Sequence, residues 1–365
     1  MVPPPPQQRQ LPGNNTDVLT AARSSDEVRV REKFSDIYEI IHDQQSWKTN
    51  CIPYTRVIDE IWASLRPSTV EKYCNSLRNF CSLSLMIKGE ILFPTDSLTA
   101  ANFLIYLKDQ GYSKSSIKLG LVSLKWVNSF FPGNACDLLN DKFLDRIVQS
   151  SLKNMVSIKC QKSPISKEMV AKMLKWGPNP TLTKMRDSLM AALSFSLLLR
   201  NEELRHLTCY NIIENDSGLI FTIVSSKTDV FRKGKKLFLA RQDGKLSVVN
   251  LLKLYLVKGN LNFKKNSFLF GHVAESQGSQ FIDGSKPLTY NQCRTIMMSE
   301  VKETGHESKA FGTHSFRSGG ASTLAPKVSP FELMLSGRWA DARSLRNYVE
   351  VSEERRFDIS KSLFV

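Results

Sequence analysis

The stretch 151–165 constrains this chain more than any other. It carries Lys153, Lys159, Lys162 and Pro164 and has few apolar residues at any regular spacing. A segment with nothing periodic to bury reads as a linker, here basic, extended and flexible. It divides 365 residues into two parts, each long enough for a core of its own.

Before that linker, residues 1–30 open on Met1-Val2-Pro3-Pro4-Pro5-Pro6-Gln7-Gln8 and stay polar, which reads as a disordered tail. Phe34, Ile37, Ile40 and Ile41 have helical spacing, suited to packing on the next domain or on a partner. From about 52 to 150 the pattern is helical throughout, and 31–150 is taken as one domain. Val70, Tyr73, Leu77, Phe80 and Cys81 fall on one face of a helix begun by Ser68-Thr69. Asp96 and Ser97 are cap residues for a second helix with Ala101, Phe103, Leu104 and Leu107, ended by Gly111. Ser113 caps a third, with Ile117, Leu121, Leu124 and Val127 inward. Lys114, Lys118 and Lys125 lie on that same element, as a solvated basic face or a phosphate-contacting one.

After Ser166 the chain changes character, and 166–365 is taken as a second domain, mainly α with one small antiparallel sheet. Helices are expected at about 166–176 and 184–198, then a short one from Arg200. Leu219–Val224 and Lys235–Ala240 read as paired strands joined by a segment too polar for a core. Further helices follow at about 247–257, 289–303, 315–325, 330–336 and 341–349.

Net charge narrows the partners. Fifty Lys and Arg against 35 Asp and Glu leave +15, an excess that favours a polyanion, nucleic acid first. The seven cysteines, at 51, 74, 81, 136, 160, 209 and 293, are odd in number and form no C-x-x-C pair. They are expected to be buried reduced thiols of an intracellular protein. No apolar run reaches the ~20 residues of a membrane helix, so no membrane is expected among the partners. No phosphate-cradling G-x-x-x-x-G-K-[ST] occurs, nor G-x-G-x-x-G, nor H-E-x-x-H, and the five histidines are dispersed. The chemistry is therefore expected to run on side chains, without metal or cofactor.

Three stretches carry that chemistry. In Leu199-Arg200-Asn201-Glu202-Glu203-Leu204, an arginine directly after a long apolar helix is costly to bury unless it meets an anion. Glu203, one turn on, is positioned to hold it. In His314-Ser315-Phe316-Arg317-Ser318-Gly319-Gly320-Ala321, residues i and i+3 of a helix direct His314 and Arg317 to one face, and the glycines permit close backbone approach. Gly337-Arg338-Trp339 is followed nine residues after the tryptophan by Tyr348. Singly, each has a plain structural reading: a surface ion pair, a chance His-x-x-Arg, two core aromatics.

Together, and in this order, they resemble the tyrosine recombinase (phage integrase) family. Its pattern is Arg-x-x-Glu-Leu, a Lys in a β-turn, His-x-x-Arg, then His or Trp, then Tyr. Here the positions are filled by Arg200 with Glu203 and Leu204, Lys227, His314 and Arg317, Trp339, and Tyr348. The resemblance covers the second domain and, less specifically, the helical first one, which is similar to the family's SAM-like core-binding domain. His314-Ser315-Phe316-Arg317-Ser318-Gly319-Gly320-Ala321 and Gly337-Arg338-Trp339 resemble most the Crypton and DIRS-like recombinases of eukaryotic mobile elements.

The resemblance implies double-stranded DNA as partner and a homotetramer on two duplexes, monomeric or dimeric when free. It implies a nuclear enzyme in a eukaryotic host and a cytoplasmic one otherwise. It also implies a 3′-phosphotyrosyl intermediate on Tyr348, with Arg200 and Arg317 clamping the phosphate and Trp339 adding a donor. His314 would take the phenolic proton, and Lys227 would protonate the leaving 5′ hydroxyl. Trp339 stands where His is commoner and, having a donor but no acceptor, cannot serve as a base. Arg232-Lys233-Gly234-Lys235-Lys236 reads as a basic hairpin touching DNA backbone, in preference to a nuclear import signal. Two alternatives share these features: a catalytically silent DNA-binding protein of recombinase descent, and a type IB topoisomerase.

Overall fold

The computed structural model describes residues 26–43, 54–91, 93–131, 138–153, 155, 162–224, 234–244, 247–264, 266–345, 357 and 360–361. The chain divides between Lys159 and Cys160 into two compact units. Of the stretch read as linker, 151–153 complete a helix instead, while Ser163 and Ile165 are held by the second unit.

The first unit is helical: a segment at 26–33, then α1 (Ser35–Asp43), α2 (Tyr54–Ala63), α3 (Pro67–Lys88), α4 (Ser97–Asp109), α5 (Lys114–Asn128) and α6 (Lys142–Lys153). The expected tail differs here. Its residues 1–25 lie outside the described residues, but 26–30 are helical and Val30 is buried. Val30 belongs to one apolar face with Phe34, Ile37 and Ile41, and all four join the core of this unit. Arg78 of α3 clamps that face down: it donates to both Asp36 oxygens, at 2.7 and 2.8 Å, and lies over the Phe34 ring.

Side-chain caps set the helix starts. Asp96 accepts from the Thr99 N–H at 2.8 Å, and Ser113 accepts from the Ser116 N–H at 3.2 Å. Gly111, at φ 74°, makes the left-handed turn between α4 and α5. On α5, Lys118 is exposed, Lys114 half-buried, and Lys125 pairs with Asp145 of α6 at 3.8 Å. Lys125 is thus partly enclosed and shares its charge with α6.

The second unit contains α7 (Lys167–Met173), α8 (Leu182–Ser196), α9 (Asn201–Arg205), β1 (Ile212–Asn215), β2 (Gly218–Ile223), β3 (Lys235–Ala240), α10 (Val248–Lys258), β4 (His272–Ser276), β5 (Ser279–Asp283), α11 (Tyr290–Glu303), α12 (Thr313–Leu324), α13 (Pro330–Gly337) and α14 (Ala342–Leu345). Its axis is α8, with ten of its fifteen residues buried and α7, α10, α11 and α12 packed around it. Its run Leu189-Met190-Ala191-Ala192-Leu193 is apolar on every side and wholly buried, as a central helix requires.

The sheet is β1-β2-β3, antiparallel, with Phe221 opposite Ile212 and Leu237. Gly218 makes the β1–β2 turn at φ 148°, where a Cβ would stand 2.2 Å from the Leu239 carbonyl oxygen. Two elements exceed the single strand pair expected from sequence: β1 and the hairpin β4–β5. That hairpin turns on Gln277 and Gly278, both at positive φ, and its strands are largely exposed and polar, so they lack the apolar alternation that signals a strand. Among the described residues no helix is long and apolar enough to cross a membrane.

Cys74, Cys81, Cys209 and Cys293 are buried thiols outside any disulfide; Cys51, Cys136 and Cys160 lie outside the described residues. Burial pushes Cys74 and Cys81 up to about 12 and Cys293 to about 11. Thiolate is the reactive form. Alkylation at pH 8 followed by peptide mapping should therefore leave these thiols unmodified until urea unfolds the protein; labelling of the native protein at the same rate would contradict their burial.

Candidate active site

The site begins where α8 stops. Leu198 takes a left-handed conformation, φ 49°, and the chain turns straight into α9 with Arg200 at its N-cap. Glu203, on the first turn, reaches back. Its Oε2 accepts the Arg200 backbone N–H at 2.9 Å and its Oε1 accepts Arg200 Nη1 at 2.7 Å. This carboxylate is buried, with 2 % of its side chain exposed, whereas the Arg200 side chain keeps 17 %. Arg200 is therefore held by one edge with part of its surface open.

Arg317 opens the second turn of α12 and is wholly enclosed. Its Nη1 donates to the Leu198 carbonyl oxygen and its Nη2 to that of Gly337. Its guanidinium carbon lies 4.5 Å from the centroid of the Trp339 ring, a cation–π contact. Trp339 is itself buried, in a cluster with Leu198, Ala321, Leu333 and Leu345. His314, one turn before Arg317, is exposed. The shared helical face thus places a solvent-facing imidazole beside an enclosed guanidinium.

Two glycines make the enclosure possible. A Cβ on Gly319 would lie 1.9 Å from the Ile165 carbonyl oxygen, and one on Gly320 2.2 Å from that of Phe195. The backbone N–H of Ile165 bonds to Ser315 O at 3.0 Å, fixing this approach. Gly319→Ala should lower the unfolding free energy by about 3 kcal/mol, the cost of forcing an overpacked backbone apart. Gly177→Ala, where a Cβ meets nothing within 4 Å, is the control. Equal urea midpoints for the two variants would contradict this packing.

Arg338 is the residue that sequence reading missed. It caps α13 in a left-handed conformation, φ 57° and ψ 41°. Its Nη2 donates to Glu203 Oε2 at 2.7 Å and to Leu198 O at 2.8 Å, and its Nη1 to Leu197 O at 3.3 Å. Glu203 therefore serves Arg200 and Arg338 together, with Arg317 Nη1 at 4.0 Å. Burial alone would raise its pKa, but the charge of Arg338 and the bonds from Arg200 outweigh this and hold it below the usual value. Burial likewise lowers the Arg338 guanidinium, against the opposing pull of Glu203. Arg338, like Arg200, is a charge that cannot be buried cheaply unless it meets an anion, and that is its one signal in the sequence.

Within this cluster one carboxylate faces three guanidiniums. Two positive charges are left over, which suits an anion such as a phosphate. Tyr348, Lys227, Arg232 and Lys233 lie outside the described residues. β2 and β3, whose ends Ile223 and Lys235 pair, flank the segment containing Lys227; Lys235 is exposed.

A model of the phage integrase family matches residues 142–355. Among solved structures, the chain is similar to XerH site-specific recombinase in a post-cleavage complex with palindromic difH substrate, at 16 % identity over 84 % of this chain and 83 % of that one, TM-score 0.57. It is similar to a lambda integrase tetramer bound to a Holliday junction, at 16 % identity over 81 % and 76 %, TM-score 0.53. It is also similar to the Tn1549 transposon integrase in complex with transposon right end DNA, at 14 % identity over 90 % and 99 %, TM-score 0.53. At these identities the likeness is one of fold. No curated protein matches the chain.

Proposed function

This chain belongs to the phage integrase family, and we propose that it is a site-specific DNA recombinase acting through a 3′-phosphotyrosyl link on Tyr348. The observation that carries this reading is the convergence of Arg200, Arg317 and Arg338 on one buried carboxylate, with charge left over for a phosphate. The solved relatives hold DNA, one of them as a tetramer. By that likeness the present chain binds double-stranded DNA and exchanges strands as a tetramer.

In the cleavage step the Tyr348 oxygen bonds to phosphorus and the bond from phosphorus to the 5′ oxygen breaks. The phenolic proton passes to His314, and the departing 5′ oxygen takes a proton from Lys227. Arg200 and Arg317 stabilise the charge that grows on the non-bridging oxygens, and the Trp339 indole N–H adds a donor to the same phosphate. Arg317 donates from each Nη to one backbone carbonyl here, which fixes the plane of a guanidinium that has five N–H donors in all. The ester conserves the energy of the original bond, so rejoining calls for neither ATP nor metal. Lys114, Lys118, Lys125, Arg232, Lys233 and Lys235 contribute contacts to the DNA backbone. His314-Ser315-Phe316-Arg317-Ser318-Gly319-Gly320-Ala321 and Gly337-Arg338-Trp339 argue for a Crypton or DIRS-like element, and hence for integration or excision in a nucleus.

The test is a randomised duplex library, nicked in one strand, incubated with the protein in EDTA. Expected is DNA that stays bound through SDS, with a blocked 3′ end and a free 5′ hydroxyl. Bound DNA without any adduct would instead favour the silent DNA-binding reading, and efficient relaxation of a supercoiled plasmid by monomers the topoisomerase one.

A further inference from the structure

We propose that Arg338 is a positioning residue for strand cleavage: it neutralises Glu203 so that Arg200 and Arg317 keep their charge for the scissile phosphate. The inference rests on the recombinase reading above and assigns a role to a residue outside the expected catalytic set.

The placement of Arg338 is specific in two ways. Its backbone is left-handed, where glycine sits without strain and a side chain does not. An arginine held there, with 4 % of its side chain exposed, is kept for what the side chain does. Its donors also go to the atoms that hold the other two arginines. Glu203 Oε2 takes Arg338 Nη2 and the Arg200 backbone N–H, and Leu198 O takes Arg338 Nη2 and Arg317 Nη1. A planar fork spans the carboxylate and two adjacent carbonyls in a way an ammonium cannot.

Removing it has a definite consequence. Glu203 Oε2 would lose a charged donor in a buried site, and Arg317 Nη1, 4.0 Å away, is a cation in reach to replace it. Arg317 drawn onto that carboxylate is neutralised and turned away from the phosphate. The rate of cleavage falls, while non-covalent DNA binding, spread over many phosphate contacts, does not.

The experiment uses a nicked duplex that the wild-type protein captures from the library, and measures single-turnover adduct formation at saturating protein beside non-covalent affinity. Arg338→Gln should bind within about threefold of wild type and form adduct about 10–100-fold more slowly, the usual scale for removing a group that orients a reacting one. Adding Glu203→Gln to that variant removes the charge Arg338 balances and should recover at least about tenfold of the loss, a rescue that simple loss of packing would not give. If Arg338→Gln does not fold, Arg338→Met, which also removes the charge but keeps an apolar stem of similar reach, replaces it in both arms. An unchanged rate in the single variant, or a loss that the double variant fails to recover, overturns the inference and leaves the recombinase reading standing. Absence of adduct from wild type overturns both.

Discussion

Tyr348→Phe binds the captured duplex within about threefold of wild type and yields at least ~10⁴-fold less covalent adduct. The two halves of this result have separate causes. Affinity comes from Lys and Arg on phosphates along the duplex, and one phenolic oxygen contributes little to it. Adduct formation requires an atom that can bond to phosphorus, and phenylalanine has none. A free phenol has its pKa near ~10, so attack depends on neighbours that take the proton and hold the growing charge. Arg200→Ala should therefore also lose adduct, but less completely than Tyr348→Phe. The result to look for is SDS-resistant protein–DNA product over a time course in EDTA. Adduct persisting in Tyr348→Phe would move the nucleophile to another residue.

Glu203→Gln destabilises the second unit by about 3–5 kcal/mol, the cost of breaking a buried ion pair by removing one partner. Glu203 Oε1 and Oε2 both accept, from Arg200 and Arg338. An amide offers one acceptor and turns an N–H toward a guanidinium, so donor faces donor. The pH dependence follows from the direction of the shift. A carboxyl whose folded pKa lies below its unfolded value adds stability at pH above the unfolded value, and loses it as pH falls through the folded one. Wild type and Glu203→Gln should thus differ fully at pH 7 and converge as pH drops below about 4. Urea titrations at several pH values measure this. A difference constant from pH 7 to pH 3 would show that the carboxylate charge is not what stabilises the cluster.

How much of this was legible from residue order depends on the distance along the chain over which each interaction acts. The caps of α4 and α5 at Asp96 and Ser113 each bond three residues ahead, and the Arg200–Glu203 pair spans one helical turn. Such contacts follow from helical spacing, whereas Gly319 and Gly320 signalled a close backbone approach without saying that Ile165 and Phe195 make it. The hairpin β4–β5 was not legible, because its exposed polar strands carry no apolar period.

The charge cluster was legible only in part, and the reason is geometric. Arg338 reaches Glu203 across 135 positions, and Arg317 reaches Leu198 across 119. Spacing says nothing about which carbonyl a folded chain brings to a guanidinium. The order of residues, through its resemblance to the family pattern, proposed Arg200, Lys227, His314, Arg317, Trp339 and Tyr348 as a set. That Arg317 is enclosed against Trp339, that His314 faces solvent, and that Glu203 is shared by Arg200 and Arg338 depended on how α8, α9, α12 and α13 pack. Buried charges are satisfied by whatever the fold places beside them, and that placement is set by the packing of the whole unit.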